Sequence, residues 1–217
     1  MKVTFLCSDS SHPVNEFLTN WIANAASGIE AEIVRSVDRA KGGNFLFLVS
    51  CSEFVSGKDR VRYDHCLVLH ASDLPKGRGW SPHVWEIIGG ADAIMLSLIE
   101  AADEIDTGAV WSKIEISVPK HLLWYEINDL LFEAEIEMIN FALSNYNQIS
   151  PKLQDLTKLA APFPKRSPKD SEVDPNKSLS EQFDLIRVCD PGRYPAFFHM
   201  HGYRYALKIE KLDEEQD

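Results

Sequence analysis

The sequence predicts an α/β fold: a Rossmann-like wound, mostly parallel sheet flanked by helices, with a small C-terminal helix and hairpin extension. In the first half of the chain, short apolar or β-branched runs alternate with helix-patterned segments, which is typical of a wound sheet. The run at 45–49 is continuously apolar, as expected of a strand covered on both faces. The 217 residues, 45% of them hydrophobic, suffice for a substantial core.

Five strands are predicted in the first half of the chain, at 3–7, 31–37, 44–50, 66–70 and 93–99. Between the first two, five apolar side chains recur at helical spacing and predict a helix, namely Phe17, Leu18, Trp21, Ile22 and Ala25. This order gives a β-α-β unit at the amino end.

The next elements follow from their end signals and periodicity. Ser81 and Pro82 predict an N-cap and a first helical residue, and two glycines follow residue 88, so 83–88 is expected to be a short helix. Residues 110–118 partly alternate between apolar and polar, which favours an edge strand. A long helix follows, with one apolar face marked by Leu123, Ile127, Leu130, Ala134, Met138 and Phe141.

The chain is expected to divide into a main domain at 1–161, a linker at 162–178, and a small C-terminal subdomain with a tail at 179–217. The segment 162–178 is rich in Pro and charge, so it is expected to cross the surface in extended form. After it, 179–188 favours a helix, and two short strands are expected around Gly202. A homodimer through Phe197, Phe198 and Tyr203 stays open beside ordinary packing of these aromatics.

The balance of 22 basic and 33 acidic residues gives a net charge of -11, which repels phosphate backbones and disfavours a nucleic-acid partner. The four cysteines have no metal-ligand spacing and are expected to be buried reduced thiols, so no metal is predicted. The first residues do not resemble a secretion signal and no run is long enough to span a bilayer, so a cytoplasmic protein without a membrane partner is expected.

His70 and Asp106 are the candidate catalytic residues. The strand at 66–70 ends in His70, which puts an imidazole at the carboxyl edge of the sheet, where active sites of such folds lie. There it can take up a proton from a reacting group or stabilise negative charge. Asp106 is followed by Thr107 and Gly108, which favour a tight turn, but spacing alone puts it only slightly ahead of Asp103.

The loop before the short helix is a candidate anion site. The cations Lys76 and Arg78 lie there beside backbone N-H groups at the start of a helix. Contacts to the substrate are expected from five residues of this loop, namely Ser72, Lys76, Gly77, Arg78 and Trp80. The alternative, that the cations are solvated and the glycines only shape the turn, stays open. Neither a GxGxxG motif after the first strand nor a P-loop is present, which disfavours dinucleotide and P-loop functions.

Two segments carry a resemblance to a known family. HASDLPKGRGWSP, from His70, resembles the histidine-containing segment of the folate-dependent formyltransferases, which runs Asn, any residue, His, Pro, Ser, Leu, Leu, Pro and then Arg-Gly. IEAADEIDTGAVW, from Ile99, resembles that family's Asp-Thr-Gly loop. The resemblance implies a methionyl-tRNA formyltransferase-like fold with 1–161 as the catalytic domain, N10-formyltetrahydrofolate as co-substrate and an amine as acceptor. It also implies His70 and Asp106 as the catalytic pair, with Asp106 orienting and charging the histidine.

The resemblance further implies that the folate ring lies between the loop after Val49 and the backbone around 99–106. The cofactor-binding residues would then be Ser50, Cys51, Ser52, Phe54, Val55, Ile99, Glu100, Ala101 and Ile105. One position departs from the family, because Val68 stands where the family has its catalytic asparagine. Val68 has no donor for an oxyanion, so we expect a backbone N-H group or protonated His70 to replace it.

The acceptor implied by the resemblance is a nucleotide-linked amino sugar. Methionyl-tRNA formyltransferases typically carry a longer carboxyl domain and a Gly-rich first loop, whereas this acidic chain has CSDSSHPVNEF after its first strand. It resembles more closely the sugar N-formyltransferases of surface-glycan biosynthesis, which implies a 4-amino-4,6-dideoxysugar acceptor. The alternatives are a methionyl-tRNA or glycinamide ribonucleotide formyltransferase and a non-catalytic folate-binding protein.

Overall fold

The computed structural model describes residues 1–212, apart from the side chain of Lys158, so the end of the predicted tail (213–217) lies outside the described residues. The strands are β1 (Lys2–Leu6), β2 (Glu30–Val34), β3 (Gly43–Leu48), β4 (Tyr63–His70), β5 (Ala93–Glu100), β6 (Val110–Ser117), β7 (Ala196–Met200) and β8 (Tyr203–Leu207). The helices are α1 (Val14–Ala23), α2 (Gly57–Arg60), α3 (Pro82–Ile88), α4 (Trp124–Asn145) and α5 (Leu179–Arg187).

The main sheet has the order β2-β1-β3-β4-β5-β6. The first four strands pair in parallel, and β5 and β6 join antiparallel, with β6 at the edge. The predicted mostly parallel sheet and its edge strand are therefore confirmed. Along β3, Phe45 and Phe47 pack in the core on one face while Leu46 and Leu48 pack on the other, which explains why this stretch is apolar without interruption.

The helix α3 begins without the predicted cap. Ser81 occupies the N-cap position but has a left-handed backbone (φ 46°), and its side chain makes no capping hydrogen bond. The predicted N-cap position is therefore confirmed, but the side-chain cap that a serine there would supply does not form. Pro82 starts the helix as predicted, since its ring presets a helical φ and its missing N-H group would have no partner there.

The C-terminal residues form a small core of their own and dock onto the loop between β6 and α4. Val173, Ile186, Cys189 and Ala196 are buried together. The fully buried Arg187 of α5 donates hydrogen bonds to the carbonyl oxygens of Pro119 (3.3 Å) and Leu122 (3.2 Å). Of the aromatics considered for a dimer, Phe197 is buried and Tyr203 is 70% exposed, and the dimer stays a prediction.

The segment 162–178 is mostly exposed, but it is not extended throughout as predicted, because Pro168–Ser171 form a short 3-10 helix whose start is capped by hydrogen bonds between Ser167 and Asp170. The segment also contacts the loop before α3. The Phe163 N-H donates to the carbonyl of Arg78 (2.7 Å), and the Trp80 N-H donates to the carbonyl of Phe163 (3.1 Å). A Cβ on Gly79 would lie 2.3 Å from that Phe163 oxygen, so only glycine allows this approach. The division at 161 and 178 stays a prediction.

No helix within residues 1–212 is both long and apolar enough to cross a membrane. All four cysteines are free. The predicted burial is confirmed for Cys7 and Cys189 and is wrong for Cys51 and Cys66, which are half-buried because each packs only partly against the core that contains Leu46 and Leu48.

Candidate active site

A cavity of about 560 Å³ opens at the carboxyl ends of β1, β3 and β4. Its walls come from the loops after these strands, from the loop between β5 and β6, from one face of α4, and from residues 165–194 of the C-terminal segment. Ligand sites of wound α/β folds lie at this edge of the sheet, so the position alone makes the cavity the candidate site.

His70 lies at the end of β4, 8% exposed, and contributes to the cavity wall. Its Nε2 is 3.0 Å from the carbonyl oxygen of Gly77, which can only accept, so Nε2 carries a hydrogen. Nδ1 faces Asp106 Oδ1 at 3.5 Å, a separation that suits an ion pair and exceeds an ordinary hydrogen bond. Nδ1 is therefore the ring atom that can take up a proton, and Asp106 can balance the resulting charge.

Asp106 is held from both sides. Its backbone is left-handed (φ 62°), and its Oδ2 accepts a hydrogen bond from the Gly79 N-H at 3.0 Å. The side-chain amide of Gln154 donates to the carbonyls of Asp106 (3.0 Å) and Gly108 (2.7 Å). A Cβ on Gly108 would lie only 1.7 Å from the carbonyl oxygen of Glu100, so the loop passes β5 at a distance that only glycine permits.

Most residues predicted to bind folate line the cavity. They are Ser50, Cys51, Ser52, Phe54, Val55, Glu100, Ala101 and Ile105. The ninth, Ile99, does not; it is buried in β5, paired with Val68 of β4. Phe54 and Ile105 are 56% and 62% exposed, so each of the two loops presents an apolar side chain at the cavity.

Arg60 links these two loops. Its guanidinium donates to the carbonyls of Val55 (2.8 Å) and Ala102 (3.3 Å) and forms an ion pair with Asp103. The exposed Asp103 is therefore an anchor for Arg60, whereas Asp106 is the acid that reaches His70.

Of the five residues predicted to bind substrate, only Trp80 lines the cavity. The Ser72 hydroxyl donates to the carbonyl of Lys76, whose side chain is exposed. Gly77 supplies the carbonyl that contacts His70, and Arg78 is paired with Glu104 at 3.0 Å. The structure does not bring these four residues to the cavity, because short-range contacts shape the loop and neutralise Arg78.

Other cations reach the cavity from distant parts of the chain. Lys165 and Arg166 follow the predicted linker's start, and Arg193 lies beyond α5. Arg166 Nε is buried without a hydrogen-bond partner, and Arg193 is paired with Asp9 at 2.6 Å. No local pattern marks these residues, because the cavity assembles them only when the C-terminal segment docks.

Two further histidines line the cavity, and both are uncharged at neutral pH. Burial lowers the pKa of His12 to about 4, with a smaller contribution from Arg193. Burial also lowers the pKa of His83 to about 4, helped by repulsion from His70 and His12. Nδ1 of His83 is buried without a hydrogen-bond partner.

Glu135 is the buried acid of the cavity. It lies on the face of α4 that also carries Asn128, Leu131 and Phe132, and it is 5% exposed. Within residues 1–212, its Oε2 has no hydrogen-bond partner. Burial alone raises the pKa of this carboxyl to about 8.

Within residues 1–212, no three His, Cys, Asp or Glu side chains are grouped so that they could hold a metal ion. Val68 lines the cavity with an aliphatic side chain, so the position where the resemblance implies a donor lacks one.

No protein-family model matches the chain. In sequence, it is similar to the methionyl-tRNA formyltransferase of Protochlamydia amoebophila, 27% identical over 151 residues, which cover 67% of this chain and 46% of that protein. The chain thus spans about half the length of this curated relative.

In structure, the chain is similar to a methionyl-tRNA formyltransferase from Clostridium thermocellum (TM-score 0.80, 22% identity, 100% of this chain and 95% of that chain). It is also similar to HypX from Aquifex aeolicus in complex with tetrahydrofolic acid (0.78, 18%, 94% and 37%). A sugar N-formyltransferase from a Shewanella species matches as well (0.72, 15%, 98% and 99%). These matches confirm the formyltransferase fold that the two motifs predict.

Proposed function

We propose that this chain, which has the fold of the folate-dependent formyltransferases, transfers the formyl group of N10-formyltetrahydrofolate to the amine of a nucleotide-linked amino sugar. The observation that carries the proposal is the buried pair of His70 Nδ1 and Asp106 Oδ1, 3.5 Å apart, in the wall of a 560 Å³ cavity. A cavity of this size suits a small-molecule ligand.

The folate ring is assigned to the space between the 50–55 and 100–106 loops. The exposed Phe54 and Ile105 offer apolar contacts there, and covering them with a ring would remove apolar surface from water. Arg60 holds the two loops together, so the space between them is preformed. The solved complex of HypX with tetrahydrofolic acid supports folate as the co-substrate, since HypX shares this fold.

In the proposed reaction, the acceptor amine attacks the formyl carbon, the new C-N bond forms, and the bond from that carbon to N10 breaks. The amine gives up its proton to Nδ1 of His70, and the proton then passes to N10 of the departing folate. Asp106 balances the imidazolium while it exists. The positive charge of the His70 imidazolium is then available to stabilise the oxyanion, whereas the aliphatic side chain of Val68 cannot do so.

The acceptor's anionic part is assigned to Lys165, Arg166 and Arg193. These cations line the cavity of a protein whose net charge is -11, so they form a local exception to the repulsion of phosphate. A diphosphate that links the sugar to its nucleoside would also give the buried Arg166 Nε an acceptor.

The test is absorbance-monitored turnover of N10-formyltetrahydrofolate with a panel of nucleotide-linked amino sugars, with the corresponding amine-free sugars as controls. His70→Asn and Asp106→Asn are each expected to lower turnover about a hundredfold or more while the fold is retained, the order typical of a lost general base. Near-normal activity of both variants would refute the assignment of this pair.

A second candidate, a formyltransferase acting on charged initiator tRNA, is favoured by the sequence match to methionyl-tRNA formyltransferase. The charge of -11 argues against it, since tRNA binding depends on neutralising phosphates. A gel shift with initiator tRNA at moderate salt would favour the tRNA acceptor. Tight binding of folate without transfer to any amine would identify a non-catalytic folate-binding protein.

A further inference from the structure

Oε2 of the buried Glu135 carboxyl has no hydrogen-bond partner among the described residues. A buried acid that serves the fold normally forms a hydrogen bond or an ion pair, because a buried polar group without a partner destabilises the folded state. Glu135 lines the cavity and is only 5% exposed. Its Oε2 nevertheless makes no hydrogen bond to any described residue. The missing partner is therefore expected to come from a ligand in the cavity.

The surroundings of Glu135 define the chemistry of that ligand. Phe132, one turn earlier on α4, packs its ring against that of His12 at a centroid distance of 5.7 Å, which brings the loop after β1 to this end of the cavity. Ionisable groups near this end include Cys7, His12 and His83, and the shifts of their pKa values leave all three uncharged at neutral pH. The cations that act on these groups are Arg35 at Cys7, Arg193 at His12 and Arg166 at His83, and Arg193 is paired with Asp9. Burial alone shifts the pKa of the Glu135 carboxyl, and no cation within residues 1–212 forms an ion pair with it, so the site suits a ligand group that donates hydrogen bonds or carries positive charge.

We propose that Glu135 binds the acceptor's amino group and takes the first of the two protons that this group loses during formyl transfer. The inference rests on the proposed function and names the subsite of the acceptor nitrogen. A free amine is mostly an ammonium ion at neutral pH and cannot attack until one proton leaves. In this first step the N-H bond of the ammonium breaks and an O-H bond forms on Glu135. The second proton leaves only after the C-N bond to the formyl carbon has formed, and it goes to His70.

The affinity of Glu135 for a proton matches this step. Because burial raises the pKa of the carboxyl to about 8, it approaches the range of amines, so proton transfer inside the pair costs little. An arriving ammonium also favours the carboxylate form, so one proton is released to the solvent when the ammonium binds below pH 8.

The first test does not depend on activity. The Glu135 resonance in protein labelled with ¹³C at the glutamate carboxyl groups is assigned by its loss in Glu135→Gln and followed by pH titration. Glucosamine is expected to lower the titration midpoint by about one pH unit or more, an order set by a charge within a few ångströms, and glucose to leave it unchanged. An equal midpoint with both sugars would overturn the proposal.

The second test compares variants in formyl transfer to the amino sugar that the panel identifies. Glu135→Gln is expected to lower kcat/KM about a hundredfold at pH 7 and to regain about tenfold per pH unit, since the fraction of free amine rises by that factor. Glu137→Gln, an exposed position on the same helix, is the matched control and should follow the wild type. Affinity for tetrahydrofolate should be unchanged in both variants.

A purely structural role for Glu135 would lower activity equally at every pH, and that result would overturn the inference while the proposed function stands. If the wild type formylates no amine, the proposed function fails, and the glucosamine titration still decides whether Glu135 binds an amine. A circular dichroism spectrum and an unfolding curve establish that Glu135→Gln is folded, and Glu135→Leu serves as a second variant.

Discussion

Glu135→Gln is expected to change how the stability of the protein depends on pH. In the folded protein the Glu135 pKa is about 8, whereas its ordinary value is 4.5. Between these values the folded protein holds a proton that the unfolded chain releases, so the contribution of Glu135 to stability is greatest below pH 4.5 and declines as pH rises to 8. The decline is about 1.4 kcal/mol per pH unit, about 5 kcal/mol in all.

His12 and His83 act in the opposite direction over a lower range. Their pKa values are about 4 in the folded protein and 6.5 ordinarily, so the unfolded chain binds protons that the folded protein excludes. Stability therefore falls as pH drops from 6.5 to 4. Above pH 6.5 the histidines no longer contribute, and the effect of Glu135 can be measured without them.

The assay is urea unfolding at pH 6.5 and pH 8. Over this interval the wild type and the exposed control Glu137→Gln are expected to lose about 2 kcal/mol more than Glu135→Gln, because the amide does not ionise. Parallel pH dependence in all three proteins would refute the raised pKa and the reasoning from burial that predicts it.

Three further changes test how the site is held together. Gly108→Ala is expected to destabilise the protein by about 3 kcal/mol or more, since the new Cβ would lie 1.7 Å from a carbonyl oxygen. Gly192→Ala is the control, because its Cβ would meet only the side chain of Asp190, at 3.3 Å, and it should lower the melting temperature much less. Gln154→Leu removes the amide group that donates both hydrogen bonds to the Asp106 loop, so it should lower the stability of the protein by about 1–3 kcal/mol and reduce kcat. An unchanged kcat would show that the loop keeps its position without these hydrogen bonds. Arg60→Met should weaken tetrahydrofolate binding about tenfold by calorimetry, and equal affinity would contradict the assigned folate site.

The sheet could be predicted from the sequence because its signals are local. The apolar run at 45–49 and the alternation of strands and helices record burial on both faces, and the structure buries β3 in that way. Periodicity carries no direction, so it could not reveal that β5 runs antiparallel to β4. Residue type does not reveal a left-handed backbone either, so the sequence could not show that the side chain of Ser81 makes no capping hydrogen bond.

The site was only partly predictable. His70 and Asp106 belong to two short motifs, and the structure brings them within 3.5 Å. Lys165, Arg166 and Arg193 reach the cavity only through docking of the C-terminal segment, and no spacing in the sequence marks that contact. Glu135 was not singled out from the sequence, because it lies between the exposed acids Glu133 and Glu137 on the same helix. Its spacing from Asn128, Leu131 and Phe132 nevertheless follows one helical face.

The aliphatic Val68 favours a separation of the two proton acceptors in the proposed reaction. With no side-chain donor at that position, the oxyanion must be stabilised by other charge, and the imidazolium of His70 is the cation that the proposed step supplies. If His70 took the first proton of the acceptor ammonium, its Nδ1 would be occupied before the C-N bond formed, since Nε2 already donates to Gly77. It could then not accept the second proton. A second base within the cavity removes this conflict, and the buried, unpartnered Glu135 meets that requirement.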